Sequence, residues 1–321
     1  MKEIVIGSND AGRRLDRFLR KYLQNAPLGQ IYKIIRKDVK VDGRRQDESY
    51  MLSEGEVLTL YLSDEDFEKF TSSASGATTH VKRQFGIVYE DENILVANKP
   101  FGLLTHGDSN EKKNHLANQV KDYLIEQGSY NPREEKVFAP APANRIDRNT
   151  TGLVLFGKTT AALKGLNEMI RSDMIRKYYL TIVHGDIDSE LVLDGKLIKD
   201  ESKNKVSIGD SDDGLDVRTI VSPIETLDKN TTLVSVELVT GRSHQIRAHL
   251  ASIGHPIIGD SKYGGKELSG VSTQLLHAYR IEFDKTVSGL EYLEGKKFVA
   301  ELPENFKKII NSLGGNDERI K

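Results

Sequence analysis

Cysteine is absent from all 321 residues, and so is tryptophan. Without thiols there are no disulfides, no thiolate metal sites and no cysteine nucleophile, which makes a reducing, cytoplasmic interior the natural setting. No apolar run approaches the roughly 20 residues of a membrane-spanning helix. The opening Met1-Lys2-Glu3-Ile4-Val5-Ile6 lacks the long apolar stretch and cleavage site of a secretory signal. An excess of one charge is missing too: 46 basic residues face 48 acidic ones, for a net charge of −2. That excludes a uniformly basic binder of polyanions.

The balance hides an asymmetry. Residues 13 to 45 hold eleven lysines or arginines (Arg13, Arg14, Arg17, Arg20, Lys21, Lys33, Arg36, Lys37, Lys40, Arg44, Arg45) against Asp16, Asp38 and Asp42, and acids dominate from Asp47 to Glu68. A polyanion would meet a local basic face. In the same stretch Leu15, Phe18, Leu19 and Tyr22 recur at helical spacing, and Ile31, Ile34 and Ile35 predict a second short helix after the break at Pro27-Leu28-Gly29. Val39-Lys40-Val41 before the turn Asp42-Gly43, and Val57 to Leu62, predict two strands. This helix-helix-strand-strand unit resembles the S4 RNA-binding module, carried by Arg14 to Leu19, Ile34 to Lys37 and Val39 to Gly43. The resemblance implies that Arg14, Arg17, Arg36 and Lys37 touch RNA phosphates. The bland reading is a solvated helix surface.

Small polar residues from Thr71 to Thr79 predict a linker over 63 to 82 between the module, 1 to 62, and a larger body, 83 to 313. A charged tail, 314 to 321, is expected to fray. In the body, Ile87-Val88-Tyr89 and Ile94 to Ala97 flank Glu90 to Asn93 as a hairpin. Strand signals return at Leu153 to Phe156, Tyr179 to Val183, Leu233 to Val239 and Ile281 to Phe283. Helices are expected near 115 to 127, 159 to 171 and 244 to 252, and loops at 106 to 140 and 186 to 216. Strands and helices do not alternate regularly, so the fold class is α+β: a mixed, mainly antiparallel central sheet with flanking helices, preceded by the small module.

Two stretches carry chemistry. Asn144-Arg145-Ile146-Asp147-Arg148-Asn149-Thr150-Thr151-Gly152 sets a carboxylate among guanidinium groups on a loop entering an apolar strand, which keeps it charged and fixed in direction. Thr240-Gly241-Arg242-Ser243-His244-Gln245-Ile246-Arg247, then His255-Pro256-Ile257-Ile258-Gly259-Asp260 and Tyr263-Gly264, gather donors and turn glycines behind a strand. The Arg145-Ile146-Asp147-Arg148 block, Lys177-Tyr178-Tyr179-Leu180 and the Gly241-to-Arg247 block resemble, in order and separation, the three catalytic motifs of the RluA-type pseudouridine synthases. Within that family the likeness is to the C/D-like branch of the ribosomal large-subunit enzymes, which carries an S4 domain in front.

That resemblance implies the pseudouridine synthase fold and a cofactor-free, metal-free isomerase acting on ribosomal RNA of the large subunit. It assigns Asp147 the catalytic carboxylate, Arg247 the cation that pairs with it, and Tyr179 the ring that stacks on uracil and assists proton loss. Tyr178 and Tyr179 face opposite sides of a strand, and the spacing from Lys177 favours Tyr179. Arg148, Arg242, His244 and Gln245 are expected to contact RNA or the flipped base; Arg145 divides evenly between structural pairing and phosphate binding. The family commonly has His where this chain has Asn144, and Ser where it has Thr151. Lys99 is a weak candidate for a phosphate contact, Gly259-Asp260 serves a turn, and no second acid accompanies Asp147. His244, His249 and His255 lack the spacing of a metal site. A monomer with no obligate protein partner is expected. The competing readings are an RNA-binding ribosome assembly factor without turnover, a transfer-RNA pseudouridine synthase, and a carboxylate-dependent hydrolase.

Overall fold

The computed structural model describes residues 1–71, 81–132, 134–200, 205–209 and 214–320. An N-terminal body forms from β1 (Lys2–Val5), α1 (Leu15–Tyr22), α2 (Leu28–Asp38), β2 (Val39–Val41) and β3 (Val57–Leu60), with strand order β1-β3-β2. The helical spacing of the sequence becomes a shared core: Leu15, Phe18, Leu19, Ile31, Ile34 and Ile35 are buried against Leu58 and Leu60. The basic side chains of both helices therefore point outward.

The linker expected over 63 to 82 needs correction in its first half. Asp64–Thr71 is a helix, α3, whose Phe70 is buried in the N-terminal core and whose Phe67 ring lies 6.2 Å from that of Tyr22. Acids in its first turn suit the helix dipole, and two phenylalanines anchor it. The small-residue run that prompted the linker, residues 72–80, lies outside the described residues.

The larger body is built from β4 (Gly86–Glu90), β5 (Ile94–Lys99), α4 (Leu116–Glu126), β6 (Ala141–Pro142), β7 (Thr151–Gly157), α5 (Thr160–Arg171), β8 (Ile175–His184), β9 (Leu191–Asp200), β10 (Lys205–Gly209), β11 (Leu215–Leu227), β12 (Thr231–Leu238), α6 (Gln245–Ser252), β13 (Leu276–Phe283), β14 (Lys297–Val299) and α7 (Glu304–Ser312). Its sheet runs β10-β9-β11-β12-β8-β13-β7-β5-β4, with β14 added to β13 and β6 to β7. Every pairing in it is antiparallel except β13 with β7. The mixed, mainly antiparallel sheet expected from the sequence is what forms. Gly152 makes the parallel junction feasible: its φ is +107°, and a Cβ there would lie 2.1 Å from the Ala278 carbonyl oxygen.

Two other expectations are corrected. Much of the loop expected from 186 to 216 is strand, because β9 pairs with both β10 and β11. Its charged and glycine residues mask the alternation, since only a partial inner face (Leu197, Val206, Val217) packs, against Ala248 of α6 and Tyr263. The C-terminal segment is held rather than frayed: the Arg319 guanidinium lies 2.6 Å from Glu225, and Asn316 N–H donates to the same carboxylate.

The two bodies touch through specific groups. Val137 of the larger body is buried in the N-terminal core. The Asp10 carboxylate accepts from the Lys136 and Phe138 amides, each at 3.2 Å, and Asn9 accepts from the Thr160 amide and hydroxyl. No helix among the described residues is long and apolar enough to cross a membrane.

Candidate active site

Asp147 sits in the loop that feeds β7, and the loop is pinned on both sides of it. The Asn144 side-chain oxygen accepts from Leu155 N–H at 2.8 Å, fixing the entry. Thr105 Oγ1 donates to the Ile146 carbonyl at 2.9 Å, and the turn closes with Thr150 N–H on the Asp147 carbonyl. On the exit side, Lys99 Nζ donates to the carbonyls of Arg148, Leu103 and Pro100 at 2.9, 2.6 and 3.0 Å. Lys99 is wholly buried. The sequence reading of Lys99 as a phosphate contact is thus corrected: the ammonium group ties the carboxylate loop to the turn after β5. At the head of β7, Thr151 Oγ1 is 2.7 Å from Nδ1 of the buried His277, so the threonine in place of the family's serine keeps a hydroxyl bond.

Burial pushes Lys99 down to about 7, with the Asp147 charge pulling the other way. The folded value lies below the ordinary lysine value of 10.5, so between the two the unfolded chain binds the extra proton and stability rises with pH. We therefore expect stability measured by denaturant midpoint to climb from about pH 7 upward, and this slope to be missing in Lys99→Met. That variant should also be less stable at pH 7, because three carbonyls lose their donor, at about 1 kcal/mol or more. An identical pH slope in the variant would show that Lys99 is not the group responsible.

Facing the loop, α6 delivers Arg247. Its guanidinium NH1 donates to Asp147 Oδ2 at 2.9 Å, while Nε and NH2 grip the carboxylate of Asp260 at 2.7 and 2.8 Å. Arg247 and Asp260 are both buried, and the Tyr263 ring lies 5.0 Å from the guanidinium. Burial works against the charge of Arg247, but the two carboxylates more than offset it and raise its pKa. Asp260 is thus the second acid that sequence reasoning took for a turn residue. The turn that carries it needs a glycine just before, since Gly259 has φ +75° and a Cβ there would lie 2.5 Å from the Thr273 carbonyl oxygen.

Tyr179, on β8, is buried; burial first, and the Asp147 charge second, push its hydroxyl well above the usual value. The group is therefore a neutral phenol, suited to stacking and donation more than to acting as a base. Tyr178 faces the other side, where the Arg280 guanidinium covers its ring at 4.3 Å. His244 occupies a left-handed position (φ 56°) just before α6. Val206 N–H donates to the Tyr263 hydroxyl oxygen, and that hydroxyl lies 3.0 Å from His244 Nδ1. If the hydroxyl hydrogen points to Nδ1, the ring proton is left on Nε2, 3.7 Å from Asp147 Oδ2. Burial lowers the His244 pKa, although Asp147 opposes it.

Of the remaining expected residues, Arg145, Arg148 and Arg242 are exposed and form no ion pair among the described residues. Gln245 is corrected. It is buried, accepting from Thr240 Oγ1 and Arg242 N–H and donating to the Arg218 carbonyl and Thr219, so it shapes the loop and has nothing left for RNA. Arg17, Arg36 and Lys37 are exposed on the N-terminal body, apart from Asp147, and Arg14 is paired with Asp16 at 3.1 Å. No group of three potential metal ligands occurs among the described residues.

The arrangement joins one carboxylate, a shared guanidinium, a neutral imidazole and an aromatic face, with cations on the rim. Residues 93–252 match the RNA pseudouridylate synthase family. The chain is 31% identical to ribosomal large subunit pseudouridine synthase C of Haemophilus influenzae, over 98% of this chain and 95% of that protein. It is 30% identical to the protein of that name from Escherichia coli, over 98% and 97%. Among solved structures, human RNA pseudouridylate synthase domain containing 4 shares the fold with a TM-score of 0.58 at 22% identity, covering 71% of this chain and 93% of that one.

Proposed function

The chain belongs to the RNA pseudouridylate synthase family, and on that premise we propose that it isomerises particular uridines of large-subunit ribosomal RNA, with Asp147 as the catalytic carboxylate. The observation that carries the residue assignment is the Asp147 carboxylate held 2.9 Å from Arg247, beside the buried Tyr179. The substrate class rests on the names of the relatives that this chain matches along nearly its whole length.

The reaction breaks the bond from C1′ to N1, rotates the uracil and joins C1′ to C5; the C5 proton leaves and N1 gains one, so the product is an isomer. A uridine inside a helix cannot undergo this, so the base is extruded into the cleft. Asp147 then faces C1′ while N1 departs with the bonding electrons, either attacking the sugar or stabilising it as positive charge develops. Arg247 aims the carboxylate through the 2.9 Å bond to Oδ2. The Tyr179 ring gives the detached uracil a surface to turn on. The exposed Arg145, Arg148 and Arg242 suit the phosphates flanking the flipped nucleotide, and the N-terminal body, whose two helices turn basic side chains outward, adds a sequence-independent grip through Arg17, Arg36 and Lys37.

Incubation with unmodified large-subunit ribosomal RNA and, separately, with transfer RNA, followed by chemical mapping of pseudouridine, tests this reading. Site-specific product in the ribosomal RNA is expected. Binding without product would favour an assembly factor, and product in transfer RNA alone would reassign the substrate.

A further inference from the structure

Between the two bodies lies a cleft of about 370 Å³ that the reaction does not use. One wall is the start of α1, with Arg13, Arg14 and Arg17; the other is a face of α5, with Thr160, Lys164 and Asn167. Four of its lining side chains are cationic and none is acidic. The nearest compensation is partial. Asp16 pairs with Arg14, and Asp10, which lowers its burial cost by facing Arg13, is already bonded to two amides. Arg17 and Lys164 have no ion-pair partner among the described residues. Arg13 Nε is closed off from solvent without a hydrogen-bond partner, although its NH2 reaches Thr160 Oγ1 at 3.4 Å.

Like charges from two separate bodies repel across such a gap, and the exposed Arg17 and Lys164 leave their charged ends open to an anion entering from solvent. The N-terminal body is nevertheless held here by Asn9, Asp10 and Val137. We propose that this cleft seats a backbone phosphate of the RNA substrate, clamped between Arg17 of the N-terminal body and Lys164 of the catalytic body. The proposal rests on the reading that the substrate is RNA. Arginine supplies a planar fork and lysine a point charge, both suited to phosphate oxygens, and the Asn167 amide, one N–H of which donates to the Leu163 carbonyl at 2.8 Å, has a second to offer.

Position separates this contact from the chemistry. Asp147 lies before the start of β7 and Thr160 lies beyond its end, so a strand of seven residues, roughly 20 Å, stands between them. A phosphate in the cleft belongs to RNA well away from the extruded base. It also gives a physical role to the fixed docking of the two bodies, since a swinging N-terminal unit would not hold both cations on one group.

The test uses the full chain and an unmodified large-subunit RNA fragment, with affinity measured across a series of salt concentrations and with kcat and KM measured for pseudouridine formation. In Arg17→Gln and in Lys164→Gln we expect about a three- to tenfold loss of affinity, and a salt slope shallower by about 0.7 to 0.9 in each. KM should rise while kcat at saturating RNA stays within about twofold. The matched change at the exposed Lys285, Lys285→Gln, should alter neither affinity nor slope. Unchanged affinity and slope in Lys164→Gln would overturn the proposal whatever Arg17→Gln does, as would an equal loss in Lys285→Gln. A wild-type chain that binds RNA through the cleft yet forms no pseudouridine would instead overturn the proposed function and leave the cleft standing.

Discussion

Replacing Asp147 by asparagine should leave a folded chain that still binds RNA and makes no detectable pseudouridine. The side chain is partly open to solvent, with 27% of its surface exposed, so its replacement frees no buried void. Arg247 keeps its bidentate bond to Asp260, and the guanidinium is not stranded. Asparagine retains the shape and one acceptor but loses the negative charge that the developing sugar cation requires. Loss of a group that acts on the reacting atoms costs on the order of a thousandfold to a millionfold in kcat. Single-turnover assays should show this loss while the melting temperature moves by only a few degrees and RNA affinity by less than about threefold. Activity within tenfold of wild type would remove Asp147 from the chemistry.

The second large effect falls on Arg247, where stability and catalysis separate. Arg247→Ala leaves Asp260, 2% exposed, as an unpaired buried carboxylate. Breaking a buried pair in this way costs about 3–5 kcal/mol. At about 2–4 °C per kcal/mol for a body of this size, the melting temperature should fall by roughly 6 to 20 °C. Asp147 loses its clamp at the same time, so activity goes as well. Arg247→Lys should rescue little, because one ammonium group cannot serve two carboxylates that a guanidinium serves with three nitrogens. The paired change Arg247→Ala with Asp260→Ala removes the stranded charge. We expect it to recover much of the stability and none of the activity. Recovery of both would mean that the Asp147–Arg247 contact is incidental.

These expectations turn on two residues that differ in how plainly the chain displays them. Asp147 was singled out by the resemblance of three ordered motifs, since a carboxylate between two arginines is by itself more often a surface ion pair, and the fold brings it to Arg247 of another of those motifs. Asp260 was not, since a buried acid and a turn acid look alike in a sequence; only the fold brings it against Arg247. Lys99 was hidden for a related reason. A lysine is normally solvated, and its burial here depends on three carbonyls supplied by turns from different parts of the chain. Gln245 misled in the opposite direction: its place inside the motif suggested contact with substrate, whereas its amide is spent within the loop. Periodicity recovered α1, α2 and α5 closely because each has one apolar face. It missed β9 and β10, whose pairing is set by backbone hydrogen bonds at the margin of the sheet more than by a buried face.

The parallel pairing of β7 with β13 has a consequence for the newly made chain. Apart from Val137, the N-terminal core draws on residues within the first 70 and can close as soon as they emerge. The carboxylate loop cannot settle so early: its guanidinium comes 100 residues later, and the His277 that bonds Thr151 comes 126 residues later. A ribosome must thus complete most of the polypeptide before the cleft exists, which makes assembly of the chemistry a late and slow event dominated by distant contacts. The nascent molecule passes through a stage in which its first body is finished and its second is still inert.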